Sequence, residues 1–189
     1  MGKFKRIDTA FQEVVIIQPT VFEDERGFFL ETFNRAELAE VGIKEDFVQD
    51  NISHSRKGVV RGLHYQAKKA QYKLVRVVQG RIFDVVVDIR KGSKTYGQYM
   101  GIELSSEDPS MLYVPIGFAH GFMALADNTE VMYKVSDYYA PEHDAGIRWN
   151  DPELSIKWPV ERFGIKDLIV SPKDAVLPML RDIQSPFSY

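Results

Sequence analysis

His64, Lys73, His120 and Tyr133 are the side chains whose types and settings could do chemistry in this chain. His64 lies in the strand-like run Arg61-Gly62-Leu63-His64-Tyr65-Gln66, and Lys73 opens another, Lys73-Leu74-Val75-Arg76-Val77-Val78. His120 sits in Pro115-Ile116-Gly117-Phe118-Ala119-His120-Gly121-Phe122, and Tyr133 in Val131-Met132-Tyr133-Lys134-Val135. An imidazole titrates near neutrality and can take a proton at cellular pH. A phenol can return one from another direction if the fold sets it across a cavity. Such groups move protons at a carbon centre. They do not suggest hydride transfer, phosphate transfer or nucleic-acid binding.

The elements that must hold these groups are short strands. Val14-Val15-Ile16-Ile17 lies within Phe11 to Pro19, and Lys73 to Gln79 and Arg81 to Arg90 are β-rich runs divided by Gln79-Gly80, which reads as a hairpin. In the second run Phe83, Val85, Val87 and Ile89 share a dry face, and Asp84, Asp88 and Arg90 share the other. Further apolar runs are Met111 to Val114, Gly121 to Leu125 and Val131 to Val135. One helix is expected over Arg35 to Val41, capped by Asn34, with Glu37 as capping-box partner and Gly42 closing it. Pro141, Pro152, Pro159, Pro172, Pro178 and Pro186 make the last third a run of turns with short pieces. The expected fold is mainly β, an antiparallel sandwich or barrel with the jelly roll as one solution. His64 and Gln66 share a face, as do Gln49, Asn51 and Ser53. Arg61 has the opposite parity from His64 and reaches its side only through a bulge, for which Gly62 is the natural place, or through its own length.

Bulk properties narrow the classes. The 189 residues suit one domain, 1–189, with an N-terminal extension over about 1–45 and a proline-rich segment over about 150–189. At 44% hydrophobic and 27% charged the chain is an ordinary globule, and its net charge of −3 gives no basic surface for nucleic acid. Lys68 and Lys69 with Lys73 and Arg76 could meet a small anion, though Lys68 and Lys69 also suit a solvated face. His54 and His143 sit in polar loop sequence and read as surface residues. No cysteine is present, which excludes disulfides and thiolate chemistry and fits a reducing cytoplasm. No apolar run reaches membrane-spanning length and no secretory signal is visible, so a cytoplasmic protein without a membrane partner is expected.

Taken in order, several motifs resemble one family. They are Asp24-Glu25-Arg26-Gly27-Phe28-Phe29-Leu30-Glu31, Gln49-Asp50-Asn51-Ile52-Ser53, the Arg61 to Gln66 run, the Lys73 run, and Asp84 to Arg90. Pro115 to Phe122, Tyr133-Lys134, Gly146-Ile147-Arg148-Trp149 and Ser171-Pro172-Lys173-Asp174 continue the series. The chain is similar to the nucleotide-sugar 3,5-epimerases, the family of dTDP-4-dehydrorhamnose 3,5-epimerase. The resemblance implies a cupin-type jelly roll with no metal and no cofactor, working as a homodimer that exchanges a strand or N-terminal segment. It implies dTDP-4-dehydro-6-deoxyglucose as substrate and dTDP-4-dehydrorhamnose, a precursor of cell-surface polysaccharide, as product. His64 would be the base, Asp174 its carboxylate partner, Tyr133 the acid and Lys73 the support of the enolate oxygen. Arg26, Glu31, Gln49, Asn51, Arg61, His120, Tyr139 and Lys173 would line the substrate, and Phe28 or Phe29 would stack on the base, from the same or the partner subunit. Two places depart from the family pattern: the loop Ala67 to Tyr72 is one residue shorter, and Asp144, in Glu142-His143-Asp144-Ala145, is the nearest match to a family glutamate that contacts substrate.

The chemistry explains the inventory. Hydrogens at C3 and C5 of a 4-keto sugar are alpha to the carbonyl, so removing either leaves an enolate with charge on O4. Inversion needs a proton on the opposite face. One base, one acid across the cavity and a cation near O4 suffice. Duller roles exist for each residue: a core histidine, a packing tyrosine, a turn arginine at Arg26 and a turn carboxylate at Asp174. Two other classes compete, a metal-dependent cupin and a non-catalytic sugar-binding jelly roll. The first normally needs clustered histidines, and no His-x-His occurs here. Within the family, an epimerase of C3 or C5 alone, a relative that moves the keto group, or one using another nucleotide shares the same base.

Overall fold

Alternating and β-branched runs, cut by glycine, proline and asparagine, give strands too short to bury a face alone, so they stack as two sheets. The computed structural model describes residues 2–189; Met1, the first residue of the expected N-terminal extension, lies outside them. The strands are β1 (Phe4–Asp8), β2 (Val15–Pro19), β3 (Val21–Asp24), β4 (Gly27–Leu30), β5 (Gln49–Ser55), β6 (Val59–Gln66), β7 (Lys73–Gln79) and β8 (Arg81–Asp88). They continue as β9 (Tyr99–Ser105), β10 (Met111–Val114), β11 (Phe118–Ala124), β12 (Thr129–Val135), β13 (Asp144–Gly146) and β14 (Ile169–Val170). Two helices, α1 (Arg35–Glu40) and α2 (Pro172–Ala175), complete the fold with short 3-10 turns at Pro141–His143 and Leu180–Asp182.

The first sheet runs β1-β2-β10-β7-β12-β5, and the second β13-β6-β11-β8-β9, with β14 joining β6. Pairing is antiparallel except for β14 on β6. From β5 to β8 successive strands change sheet, which is the jelly-roll path. This corrects the hairpin expected at Gln79-Gly80: β7 and β8 belong to different sheets. Gly80, at φ +81°, makes the corner, where a Cβ would sit 2.5 Å from Thr129 Oγ1. A tight turn is legible in sequence; which sheet the next strand joins is not.

Val75, Val77, Leu112, Val114 and Val131 of the first sheet pack on Ile82, Val86, Leu104, Phe118 and Phe122 of the second. Each such side chain contributes about 1.5–3 kcal/mol by leaving water. On β8 the assignment of faces is the reverse of a simple dry core. Asp84, Val86 and Asp88 pair with Phe122, His120 and Phe118 and look inward. The dry face, with Val85, Val87 and Ile89, looks outward and is covered by Ile147, Leu154 and Leu180 of the last third. A strand buried on both faces can therefore bring carboxylates inside. On the outer face of the first sheet Val15, Ile17, Leu74, Met111 and Tyr113 meet Leu38 of α1. Asn34 Oδ1 accepts from Glu37 N at 3.3 Å, as expected of the cap. The reciprocal half of the capping box is replaced, since Glu37 Oε2 accepts from Lys3 N instead.

The β6–β11 ladder carries the bulge on which the site depends. His120 stands opposite His64 and Phe122 opposite Arg61, so β6 spends one extra residue there. Arg61 and His64 thereby share the inward face. Gly62, at φ +121°, and Gly121 permit the approach: a Cβ on Gly121 would lie 2.5 Å from the Arg61 carbonyl and 3.0 Å from Gly62 Cα. Gly121→Ala is expected to cost about 2–3 kcal/mol by overpacking. That corresponds to roughly 4–12 °C in Tm for a domain of this size, read by calorimetry. It should lower turnover as well, because relief of the clash moves His64.

Candidate active site

A cavity of about 540 Å³ opens between the sheets. Its lining includes Ser53, Arg61, His64, Gln66, Gln71, Lys73, His120, Tyr133, Tyr139, Asp144, Ser171, Lys173 and Asp174. His64 enters from β6 of the second sheet. Tyr133 enters from β12 of the first, opposite Asn51 of β5 and Val75 of β7. A flat ligand between the sheets would have an imidazole on one side and a phenol on the other.

His64 Nε2 lies 2.8 Å from Asp174 Oδ1. The chain segments are 110 residues apart, and α2 bridges them. Ser171 caps α2 by accepting from Asp174 N at 3.0 Å, and Gly62 N donates to Asp174 Oδ2 at 3.1 Å. Burial pushes the Asp174 carboxyl up, but the His64 hydrogen bond and charge, with the Gly62 and Ser171 bonds, outweigh it and hold the group below the usual carboxylate value. An ionised carboxylate can only accept. Nε2 therefore carries the proton, and Nδ1 keeps the lone pair that can act as a base.

A second imidazole–carboxylate pair sits beside the first. His120 Nε2 lies 2.9 and 3.0 Å from the two Asp84 oxygens, and Asp84 is fully buried. In the sequence Asp84 stands on a polar face and opens one of the family motifs, without a role of its own. Its signal was a carboxylate within a run rich in β-branched and aromatic residues. Lys73 lines the same end of the cavity and donates to the His64 carbonyl at 3.3 Å. Burial brings its ammonium down to about 8, while the charges of Asp84 and Asp144 favour keeping the proton. Burial likewise raises Tyr133; the Arg61 charge opposes the rise and Asp144 adds to it.

Asp144 stands on β13 opposite Gln66 of β6. It accepts from Tyr139 Oη at 2.9 Å and from Lys173, joining the loop after β12 to α2 over the mouth. Both donors are raised, first by their bond to Asp144. Gln66, missed in sequence as a site residue, accepts from Ala140 N at 2.7 Å and fixes the same loop. Gln71 does so from the other side, donating to the Asp137 carbonyl at 2.7 Å.

Other expected residues lie elsewhere. Gln49 and Asn51 line an adjoining pocket with Gln71, Tyr133 and Tyr139. Arg26, Phe28 and Phe29 belong to the β3–β4 hairpin, which pairs only with itself and lines a separate concavity. Phe28 and Phe29 are 69% and 67% exposed. Arg26 is paired to Asp24, and Glu31 to Lys3 and Asn34. Within one chain none of these four reaches the cavity, because the hairpin stands off both sheets. Arg76 is not part of a cluster with Lys73, since it points to the opposite face of β7 beside Met132 and Lys134. Lys68 and Lys69 are exposed. Among the described residues no group of three His, Cys, Asp or Glu side chains converges as a metal site, and no helix is long and apolar enough to cross a membrane.

The sequence profile of the family described as dTDP-4-dehydrorhamnose 3,5-epimerase matches residues 8–182. The chain belongs to that family. A dTDP-4-dehydrorhamnose 3,5-epimerase of Methanothermobacter thermautotrophicus is 50% identical over 96% of this chain and 97% of its own. The enzyme of that name from Salmonella typhimurium is 48% identical over 92% of this chain and 94% of its own. Among solved structures, an epimerase from Legionella pneumophila in complex with dTDP-4-keto-L-rhamnose superposes with a TM-score of 0.93 at 45% identity, covering 98% of both chains. The protein is thus an epimerase built on the cupin-like jelly roll of the 3,5-epimerase family, and a non-catalytic sugar-binding role is set aside.

Proposed function

We propose that the protein converts dTDP-4-dehydro-6-deoxyglucose to dTDP-4-dehydrorhamnose, in dTDP-rhamnose biosynthesis, by proton transfer through enolates without a metal or cofactor. The observation that carries the reading is the opposition of the His64–Asp174 pair on one sheet and Tyr133 on the other. His64 Nδ1 takes the proton alpha to the keto group, and Asp174 holds the imidazole in the right tautomer and steadies its charge. Tyr133 delivers a proton to the far face. Lys73, with His120 fixed by Asp84, answers the negative charge that grows on O4, so it stabilises the transition state more than the ground state. Arg61, Lys173 and the adjoining Gln49 and Asn51 suit the diphosphate.

The β3–β4 hairpin completes the site in trans in this reading. An isolated two-stranded hairpin with bare phenylalanines is unstable in water by itself. A homodimer that exchanges this arm would cover it and deliver Arg26, Glu31 and Phe28 or Phe29 to the neighbour's cavity, the ring stacking on thymine.

Incubation with dTDP-4-dehydro-6-deoxyglucose in deuterated water tests the function. Solvent label at both C3 and C5 with the L-sugar as product is expected; label at one carbon alone identifies a mono-epimerase, and no label refutes the reading. The pH profile adds a second check. Lys73 is charged below about 8 and neutral above it, so kcat/KM should fall as pH climbs through that value. The same shift makes the charged lysine a burden on folding at neutral pH, relieved between about 8 and the ordinary lysine value. Lys73→Met should lose about 10²–10³ in kcat and flatten the alkaline limb. An alkaline limb unchanged in Lys73→Met would assign it to another group.

A further inference from the structure

We propose that Arg148 is a positioning residue for the proton transfer: it pins the chain that leaves α2 and so keeps Asp174 in line with His64. The inference rests on the reading of His64 and Asp174 as base and carboxylate partner. Arg148 is not among the residues lining the cavity, so it acts through the chain and not on the substrate. Its side chain makes one bond among the described residues, from Nε to the Leu177 carbonyl at 2.9 Å. Its backbone amide donates to the next carbonyl, that of Pro178, at 2.8 Å.

The clamp matters because little else holds that end of α2. The helix is four residues long, Asp174 is its one buried residue, and Val176, which caps it, is 73% exposed. No apolar face therefore seats it on the core. Pro178 has no N–H and cannot prolong the helix, so the carbonyls at its exit need donors from elsewhere. The entry to α2 is tied by the Ser171 cap and by β14, whose Ile169 and Val170 stand beside Val59 and Val60 of β6. The exit is tied by Arg148 and by buried Leu177, whose Cδ1 comes so near β13 that a Cβ on Gly146 would lie 2.9 Å from it. From Arg148 the tie runs straight to the base. Ile147 exchanges two backbone bonds with Leu63, at 3.0 and 2.8 Å, and Leu63 precedes His64. A ring thus closes through His64, Leu63, Ile147, Arg148, Leu177 and Asp174, its last link the 2.8 Å imidazole–carboxylate bond. Asp151 braces the same turn, donating from its amide to the Arg148 carbonyl at 3.2 Å and accepting from Leu180 N at 2.6 Å. A misplacement of about 1 Å can cost a reaction about 10²-fold. Gly62 N and Ser171 still hold Asp174 when Arg148 is lost, so a smaller effect is expected.

Arg148→Met and Arg148→Gln, each alone and combined with Asp174→Ala, test the inference by steady-state kinetics and by titration calorimetry with dTDP. Glutamine sets an amide nitrogen where Nε stood and keeps the bond to Leu177; methionine sets a methyl group there. Arg148→Met should lower kcat about ten-fold and leave KM and affinity for dTDP within about two-fold. Arg148→Gln should keep kcat within about three-fold of the wild type, because the donor is retained. In the Asp174→Ala protein, Arg148→Met should change kcat by less than about two-fold, since no carboxylate remains to be misplaced. Equal losses in both backgrounds overturn the proposal, because they give Arg148 a general structural role. Unchanged kcat in folded Arg148→Met overturns it, as does weaker binding of dTDP with kcat intact. If the methionine variant fails to fold, Arg148→Gln alone decides: a ten-fold loss of kcat despite the retained donor overturns the proposal, and near-normal kcat supports it. Full turnover by Asp174→Ala refutes the base–carboxylate reading itself, and this inference with it.

Discussion

His64→Asn is expected to stop the exchange of the substrate's alpha hydrogens with solvent, while affinity for dTDP stays within a few-fold. Asparagine keeps a polar group near Asp174 but has no lone pair of suitable basicity to take a proton from carbon. The loss should reach about 10³–10⁴ in kcat, the upper range for a positioned acid–base group. Deuterium incorporation followed by NMR reads the step directly. His120 is the one other imidazole lining the cavity, and it is held by both oxygens of Asp84 at 2.9 and 3.0 Å. Normal exchange in His64→Asn, lost again in the His64→Asn/His120→Asn double variant, would hand the role of base to His120. Asp174→Ala should be milder than His64→Asn, because it removes orientation and charge support but not the base.

Tyr133→Phe should separate two events that the wild-type couples. With His64 intact, a proton can still leave and return on the same face, so solvent label enters the substrate. Inversion should fall by about 10²–10³, because no acid waits on the other sheet. A tyrosine that only packs would behave differently: phenylalanine keeps the ring and costs little stability, and both exchange and inversion would continue. Water reaching the far face would allow some slow inversion. Full-speed epimerisation by the variant would be fatal to the assignment. The raised ionisation of Tyr133 agrees with a donor that is protonated at neutral pH.

Much of this was legible in the sequence, for reasons that can be named. The run Lys73 to Gln79 became β7 at the expected bounds because aliphatic and β-branched residues fill it up to the turn at Gln79-Gly80. Gly62 was the expected place of a bulge, and the β6–β11 register shift carries Arg61 to the side of His64. Motif order brought Ser171 to Asp174 into view as a site segment although it is far from His64 along the chain. Long-range geometry was less visible. Asp84 was placed on the polar face of its strand, opposite a dry face, but the sequence alone did not show that the last third covers the dry face and that Asp84 looks inward. Gln79-Gly80 signalled a turn, but local composition holds no information on which sheet receives β8. Arg26, Phe28, Phe29 and Glu31 were grouped with the substrate by motif, and only the spatial isolation of their hairpin shows that one chain does not bring them to its own cavity. Gln66 and Ser53 lie inside quoted motifs but were given no role there, and Gln71 carries no motif that separates it from an ordinary polar loop residue.

The bridge between β6 and α2 also has a meaning in time. During synthesis the proposed base, His64, leaves the ribosome long before Asp174, and the segment that brings Asp174 also brings Leu177 and Leu180 to cover sheet and core. A nascent chain that has passed β12 holds both His64 and Tyr133 but leaves His64 without its orienting partner and Val85, Val87 and Ile89 open to water. Such a chain exposes apolar surface and, on the proposed roles, is expected to catalyse weakly, with its base unoriented. Because the proposed partner of the base lies on the last layer of the chain, full activity is expected only of a finished molecule. Unfinished chains present the bare apolar surface by which chaperones and proteases recognise them.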